Sequence, residues 1–459
     1  MPFKNEIANR LAPHAHKLWA QICLSLLVAL SCTVGIHSLG LANLPVFGIL
    51  SASIICVVFI ASFICFYFLF RLPRCPNDTI GFLIIIRTET VIEQARLEND
   101  FYQSIRTALN EAQVSLKFKV FLLPARIGNA VESLEQANQL RAQCNMRFAL
   151  YGDIRTRNHK GKEFYVLRVI SMVSHGESNS ENIHLLQSEM IDLLPAELRI
   201  DCQEDLEGFE ITSLQFASGA RYAISVALFI SGQTKEAVEL LKSLYTDLKT
   251  VKKQIEIPDT DKLAKLIPNR LTNFLTHEIS TQYSHWRNES DIRHLNAIEN
   301  LLQEIPKECE SLPDILTFRA TNIFLMRRDV TESKRLIRLA DIAQPKSAAS
   351  KYSLAFLSAY DGDLDESFKF YRTAFSLDES DALSVEVEEF ISKIVEIEPD
   401  KYQLHFCLGL VNFRKKRDYL QATRDFQKFV TLAEGQQYAK QVEVTQKYLV
   451  ELGNVTEVA

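Results

Sequence analysis

Glycine is sparse in this chain, 15 in 459 residues, and the patterns that use it to cradle phosphate are missing. No G-x-G-x-x-G follows an apolar run, and there is no Walker lysine loop and no G-x-S-x-G elbow. Dinucleotide, P-loop and α/β-hydrolase chemistries lose their motif-level support. The nine cysteines stand singly, with no C-x-x-C pair, which excludes a disulfide framework or a zinc knuckle and suits a reducing cytoplasm. His277, His285 and His294 fall eight and nine apart, off the one-turn spacing of a helical metal site. The net charge of −6 and the lack of basic–aromatic alternation give no field for nucleic acid. No cofactor and no metal are expected, and no catalytic residues are assigned.

One absence is local. Between Lys17 and Arg71 there is no Lys, Arg, Asp or Glu. A bilayer-spanning helix needs roughly 20 apolar residues. The runs 18–39 and 46–70 both meet that length, with Pro45 in the turn between them. The expectation is a membrane anchor: a two-helix transmembrane hairpin over 18–70 behind a cytoplasmic segment 1–17. Lys4, Arg10 and Lys17 before it, with Arg71 and Arg74 after it, predict two passes through the inner membrane with both termini cytoplasmic. The bilayer is then one partner. Small-residue pairs Ser31/Gly35 and Gly48/Ala52 suit close helix packing, within one hairpin or between protomers as a homo-oligomer.

Beyond Arg74 the chain is regularly patterned. Over 77–206 strands alternate with helices. Ile80–Arg87 is a continuous apolar run, as in a strand buried on both faces. Helical spacing is expected over 93–113 and 129–143, the latter capped by Asn129, with strands over 118–123 and 147–151, the last stopped by Gly152. A hairpin turn over 153–162 leads to a strand at 163–173, and a further strand is expected at 183–190. The reading is a small α/β domain. Its strand ends would gather Arg87, Glu89, Arg126, Asp153 and Arg155, an arginine group able to fork onto an anion, against the alternative of surface salt bridging. The stretch from Ala137 to Ile170, with Ala149, Gly152 and Gly161, resembles the N-terminal domain of the TolB family, which implies assembly and recognition rather than chemistry.

From 208 to 452 the chain repeats. Turn signals at Gly232, Arg328-Asp329, Gly362-Asp363 and Arg417-Asp418 each precede a small residue, Ala237, Ser333, Ser367 or Ala422. The step between the second and third is 34 residues. This pattern resembles the tetratricopeptide repeat (TPR) family and implies a C-terminal α-solenoid of degenerate TPR-like repeats. An inserted helix is expected at 384–397 and a capping helix at 436–452. The resemblance implies a concave groove lined by Tyr222, Phe229, Phe318, Asn322, Leu325, Tyr352, Phe356, Tyr360 and Phe406, suited to an apolar or helical peptide, unless adjacent helices cover these aromatics.

The full expectation is a membrane-anchored α+α/β protein, a non-enzymatic adaptor or scaffold that binds protein partners through its repeats. The alternative, of a different class, is a ligand-sensing effector of bacterial defence type. Its α/β domain would sense a small anionic signal and its transmembrane hairpins would cluster to disrupt the membrane.

Overall fold

The computed structural model describes residues 56–65, 72–110, 116–159, 162–173, 197–201, 205–251, 260–378, 381–433 and 437–456, with isolated positions between 22 and 67. Two compact units divide the chain, Met1–Ile267 and Pro268–Ala459.

The membrane anchor is corrected. Among the described residues no helix is long and apolar enough to cross a membrane. The described part of the second expected span, 56–65, is helical. Most of the expected hairpin, 18–39 and 46–70, lies outside the described residues. The membrane-anchored fold class, the two-pass inner-membrane location and the hairpin's role therefore fall. A charge-free run is necessary for a span, but it does not specify one.

The first unit holds a five-stranded mixed sheet in the order β2-β1-β3-β4-β5, formed by β1 (Ile80–Thr88), β2 (Phe118–Leu122), β3 (Phe148–His159), β4 (Lys162–Val173) and β5 (Glu197–Asp201). β1 pairs parallel with both β2 and β3, and the last three strands are antiparallel. β1 reads IGFLIIIRT because helices cover both of its faces; only Arg87 in it is not buried. On one face Leu83 and Ile85 join Leu123, Ile127, Ala137 and Leu140 of α3 (Ala125–Gly128), α4 (Leu134–Gln143) and their flanks. Other helices of this unit are α1 (Val91–Arg96), which runs through a π turn into α2 (Gln103–Asn110), and the hairpin α5 (Asp205–Ile230) and α6 (Thr234–Val251). Phe101 meets Phe216 of α5 edge-on at 5.6 Å, so this hairpin is part of the same unit.

Two local expectations change. Ser133, not Asn129, caps α4; its side chain accepts from the Gln136 amide. Asn129 bridges to β1 instead, accepting from the Thr88 amide at 2.9 Å and donating to the Thr88 carbonyl at 3.0 Å. Gly152 does not stop its strand: β3 continues to His159, and a Cβ at 152 would lie 1.8 Å from the Arg168 carbonyl oxygen on β4. The glycine permits close strand approach rather than a turn. The strand expected at 183–190 lies outside the described residues.

The second unit is helical: α7 (Thr260–Glu289), α8 (Ile292–Gln303), α9 (Pro313–Arg327), α10 (Val330–Ala343), α11 (Ala348–Tyr360), α12 (Leu364–Leu377), α13 (Asp381–Ile397), α14 (Leu404–Val411) with a π turn after it, α15 (Tyr419–Leu432) and α16 (Ala439–Thr456). Its hairpins share one turn. Arg328, Gly362 and Arg417 are left-handed (φ 54°, 93° and 55°), and each is followed by an aspartate N-cap. Asp329, Asp363 and Asp418 accept from the amides of Glu332, Glu366 and Gln421 at 2.8–3.0 Å. The same left-handed turn occurs in the first unit at Gly232 (φ 77°). Four residues after each cap a small residue is fully buried: Ser333, Ser367 and Ala422. Small side chains there let the paired helices approach; the Ser333 hydroxyl reaches the Ala320 carbonyl across the α9–α10 pair at 2.9 Å.

The step from Arg328 to Gly362 is 34 residues, but the next, to Arg417, is 55. The excess is α13, a single helix inserted between the α11–α12 and α14–α15 hairpins. α12 and α14 still touch directly, through Phe368 and Phe406 at 6.2 Å and through Ser367 and Cys407 at 3.8 Å. The insertion is thus set to one side of a stack that continues past it.

Candidate functional site

Four helices of the second unit each carry a stripe at i, i+3, i+4 and i+7, the spacing that puts side chains on one helical face. On α7 the stripe is Ser280, Tyr283, Ser284 and Arg287; on α9 it is Thr317, Ala320, Thr321 and Phe324. On α11 it is Ala349, Tyr352, Ser353 and Phe356, and on α13 Leu383, Glu386, Val387 and Phe390. The stripes converge on a cleft of about 350 Å³, completed by Trp286, Phe318, Ile337, Leu357 and Ile391. That volume lies in the range of small-ligand pockets, which are mostly apolar with a few placed polar groups.

The walls hold one another. Phe356 meets Phe324 and Phe390 edge-on, both at 5.1 Å. The Tyr283 ring stacks on Phe318 at 6.0 Å, and its phenol donates to the Phe318 carbonyl at 3.0 Å. Arg287 of α7 forms an ion pair with Glu389 of α13 at 2.8 Å, and Lys416 forms one with Glu388 at 2.9 Å. These contacts seat α13 over the aromatic wall. Behind it the Tyr352 phenol donates to the buried Asp378 carboxylate at 3.0 Å. Burial, with that hydrogen bond and the carboxylate's charge, drives the Tyr352 phenol pKa strongly upward.

Of the groove residues expected from sequence, the structure brings Phe318, Tyr352 and Phe356 together in this cleft. Tyr222 and Phe229 belong to the first unit, where Tyr222 is fully buried in α5. Asn322 is buried and donates to Glu299 at 2.9 Å, while its oxygen has no hydrogen-bond partner among the described residues. Leu325 is buried as well, and Phe406 sits in the core against Phe429 at 5.4 Å. The Tyr360 phenol is committed to Glu398 at 2.6 Å, whose other oxygen takes Arg328. Burial, then that bond and charge, push its pKa up to about 12. Neighbouring helices of the second unit cover Asn322, Leu325, Tyr360 and Phe406. Tyr283, Trp286 and Phe390 line the cleft without being among the expected residues, although the stripes on α7 and α13 are legible as helical spacing.

The arginine group at the strand ends is built differently. Arg155 meets Asp153 at 2.7 Å and Glu89 at 3.4 Å, and Arg87 meets Asp153 at 3.9 Å while lying over the Tyr151 ring. Two carboxylates therefore face these two guanidinium groups, and Arg126 stands exposed on α3. Beside them Glu93 is buried to 1%. One of its oxygens accepts from the amides of Glu89 and Thr90, the other from the amide and hydroxyl of Thr156, all at 2.7–3.0 Å. Burial alone would raise its pKa; the four donors outweigh it and hold the carboxyl below its ordinary value. Glu93 completes a capping box with Thr90 and stitches α1 to β3, which is a structural task. Among the described residues no group of His, Cys, Asp or Glu is placed to hold a metal ion. No family model matches the chain, and no curated protein matches it.

Proposed function

We propose that this protein is a non-enzymatic adaptor that grips a partner protein through apolar side chains inserted into the cleft between α7, α9, α11 and α13. The observation that carries the reading is the cleft itself: open volume walled by aromatics from four alternate helices of a repeating stack. Folded interiors close such volume where nothing is to enter it. Among the described residues the lining is mostly aromatic, aliphatic and hydroxyl-bearing and holds no histidine or cysteine. The tetratricopeptide-like step of the hairpins supports the same reading, since stacked repeats bind through the face their first helices line.

The test is panning the full-length chain against displayed helical peptides of random sequence. Enriched peptides should carry two apolar anchors three or four residues apart. Ser353→Phe fills the cleft from its wall while leaving the aromatic contacts of that wall in place. It should abolish enrichment while the helical circular dichroism signal is kept. Enrichment that survives Ser353→Phe unchanged would place binding elsewhere.

A further inference from the structure

The polar atoms of this cleft are biased in one direction, and the bias names the charge of its occupant. Three wall hydroxyls spend their protons inside their own helices. Thr317 donates to the Pro313 carbonyl at 2.9 Å, Thr321 to that of Thr317 at 3.0 Å, and Ser353 to that of Ala349 at 2.9 Å. The two phenols of the lining are likewise committed as donors. What these groups have left is lone pairs. The only cation among the described lining residues, Arg287, is held by Glu389 and also reaches the Ser284 hydroxyl at 3.4 Å. The only carboxylate among the described lining residues, Glu386, is exposed and has no ion pair or hydrogen bond among the described residues. Aromatic rings in the wall add negative faces. An acidic occupant would find an arginine already held by Glu389 and a few neutral donors, the Ser280 and Ser284 hydroxyls and the Trp286 indole N–H, whereas a cation meets a carboxylate with no ion pair among the described residues.

We infer that the cleft takes a basic amphipathic segment of a partner protein: apolar anchors in the aromatic pocket, with a lysine or arginine about one turn away that meets Glu386. This rests on the adaptor reading above and deepens it by fixing the partner's charge. A peptide source fits better than a free amine, because the carboxylate is exposed at the cleft's edge while the pocket proper is apolar, so one occupant must supply both features at a spacing.

The chain has two tryptophans, Trp19 and Trp286, and the second lines the cleft. In the full-length Trp19→Phe protein, emission reports Trp286 alone. The probes are three helical peptides with Phe and Leu four residues apart and lysine, norleucine or glutamate one turn on. The lysine peptide should bind roughly two- to fivefold more tightly than the norleucine peptide, and the glutamate peptide more weakly than either. The lysine preference should shrink with added salt, because an exposed pair is screened. Glu386→Gln should remove the preference and leave the norleucine peptide's Kd unchanged. Equal Kd values for lysine and norleucine would overturn the charge inference and leave the apolar cleft standing. Phenylbutylammonium binding as tightly as the lysine peptide would overturn the peptide source. No change in Trp286 emission with any probe would overturn the adaptor reading as well.

Discussion

The two places that the sequence marks for binding handle polar groups in opposite ways. At the strand ends of the first unit, charges turn inward on one another: Arg155 and Arg87 on Asp153 and Glu89, and Glu93 on four donors. In the second unit's cleft, donors are spent within the walls, space is left open, and one carboxylate has no partner among the described residues. A cluster of charges in sequence is therefore a poor guide to a ligand site, since opposite charges nearby neutralise it at little cost. A helical stripe of mixed aromatic and small residues is the better guide when several helices repeat it.

The comparison can be broken most severely at Gly152. Gly152→Val drives a side chain into the Arg168 carbonyl, and should destabilise the first unit by more than about 3 kcal/mol. The check is chemical denaturation followed by circular dichroism in the Trp19→Phe background, with Trp286 emission as the second unit's reporter. A Trp286 transition that shifts as far as the sheet's would show that the two units do not unfold separately. Ala374→Leu is the counterpart in the second unit. Ala374 is fully buried, so overpacking should cost roughly 2–3 kcal/mol in the Trp286 transition, whereas exposed Lys369→Leu should cost almost nothing. Equal effects from the two would mean that α12 is turned differently.

Glu93→Gln should cost the first unit about 1–2 kcal/mol at neutral pH, because an amide cannot accept from all four donors. The lowered pKa sets its pH dependence. The folded carboxyl stays ionised below the ordinary value of 4.5, so its contribution is full above that value and fades as pH falls through the folded pKa. The wild-type advantage over the glutamine variant should thus shrink in acid, and a gap that is constant from pH 7 to pH 3 would refute this role. The smallest effect is expected from Arg155→Ala, under about 1 kcal/mol, since its side chain keeps about a third of its surface in water and the pair is screened. Inorganic phosphate titrated against wild type and Arg155→Ala should give no difference in thermal midpoint; phosphate stabilisation lost in the variant would restore an anion site at the strand ends.

Much of this architecture is written in local pattern. The run IGFLIIIRT can only be a strand covered on both sides, and Gly362-Asp363 carries both its left-handed turn and its cap in two adjacent letters. Arg328 and Arg417 show the same turn made by residues that do not favour it, and there the aspartate one position later is the legible signal. What misleads is pattern without context. Gly152 reads as a breaker in one dimension, and only the β4 carbonyl opposite it reveals a contact. The charge-free run before Arg71 reads as two spans, and no described helix is long and apolar enough to make one.

The sequence alone determined where hairpins turn, which helix faces are apolar, and which strand is covered on both faces, because these depend on periodicities of two and 3.6 and on backbone preferences of single residues. Tertiary structure alone decided which apolar faces stay accessible. Phe356 and Phe406 are both buried side chains of similar-looking helices, yet Phe356 borders a cleft against Phe390 of the inserted α13, while Phe426 and Phe429 close over Phe406. Burial depends on what arrives from elsewhere in the chain, and no local pattern carries that information.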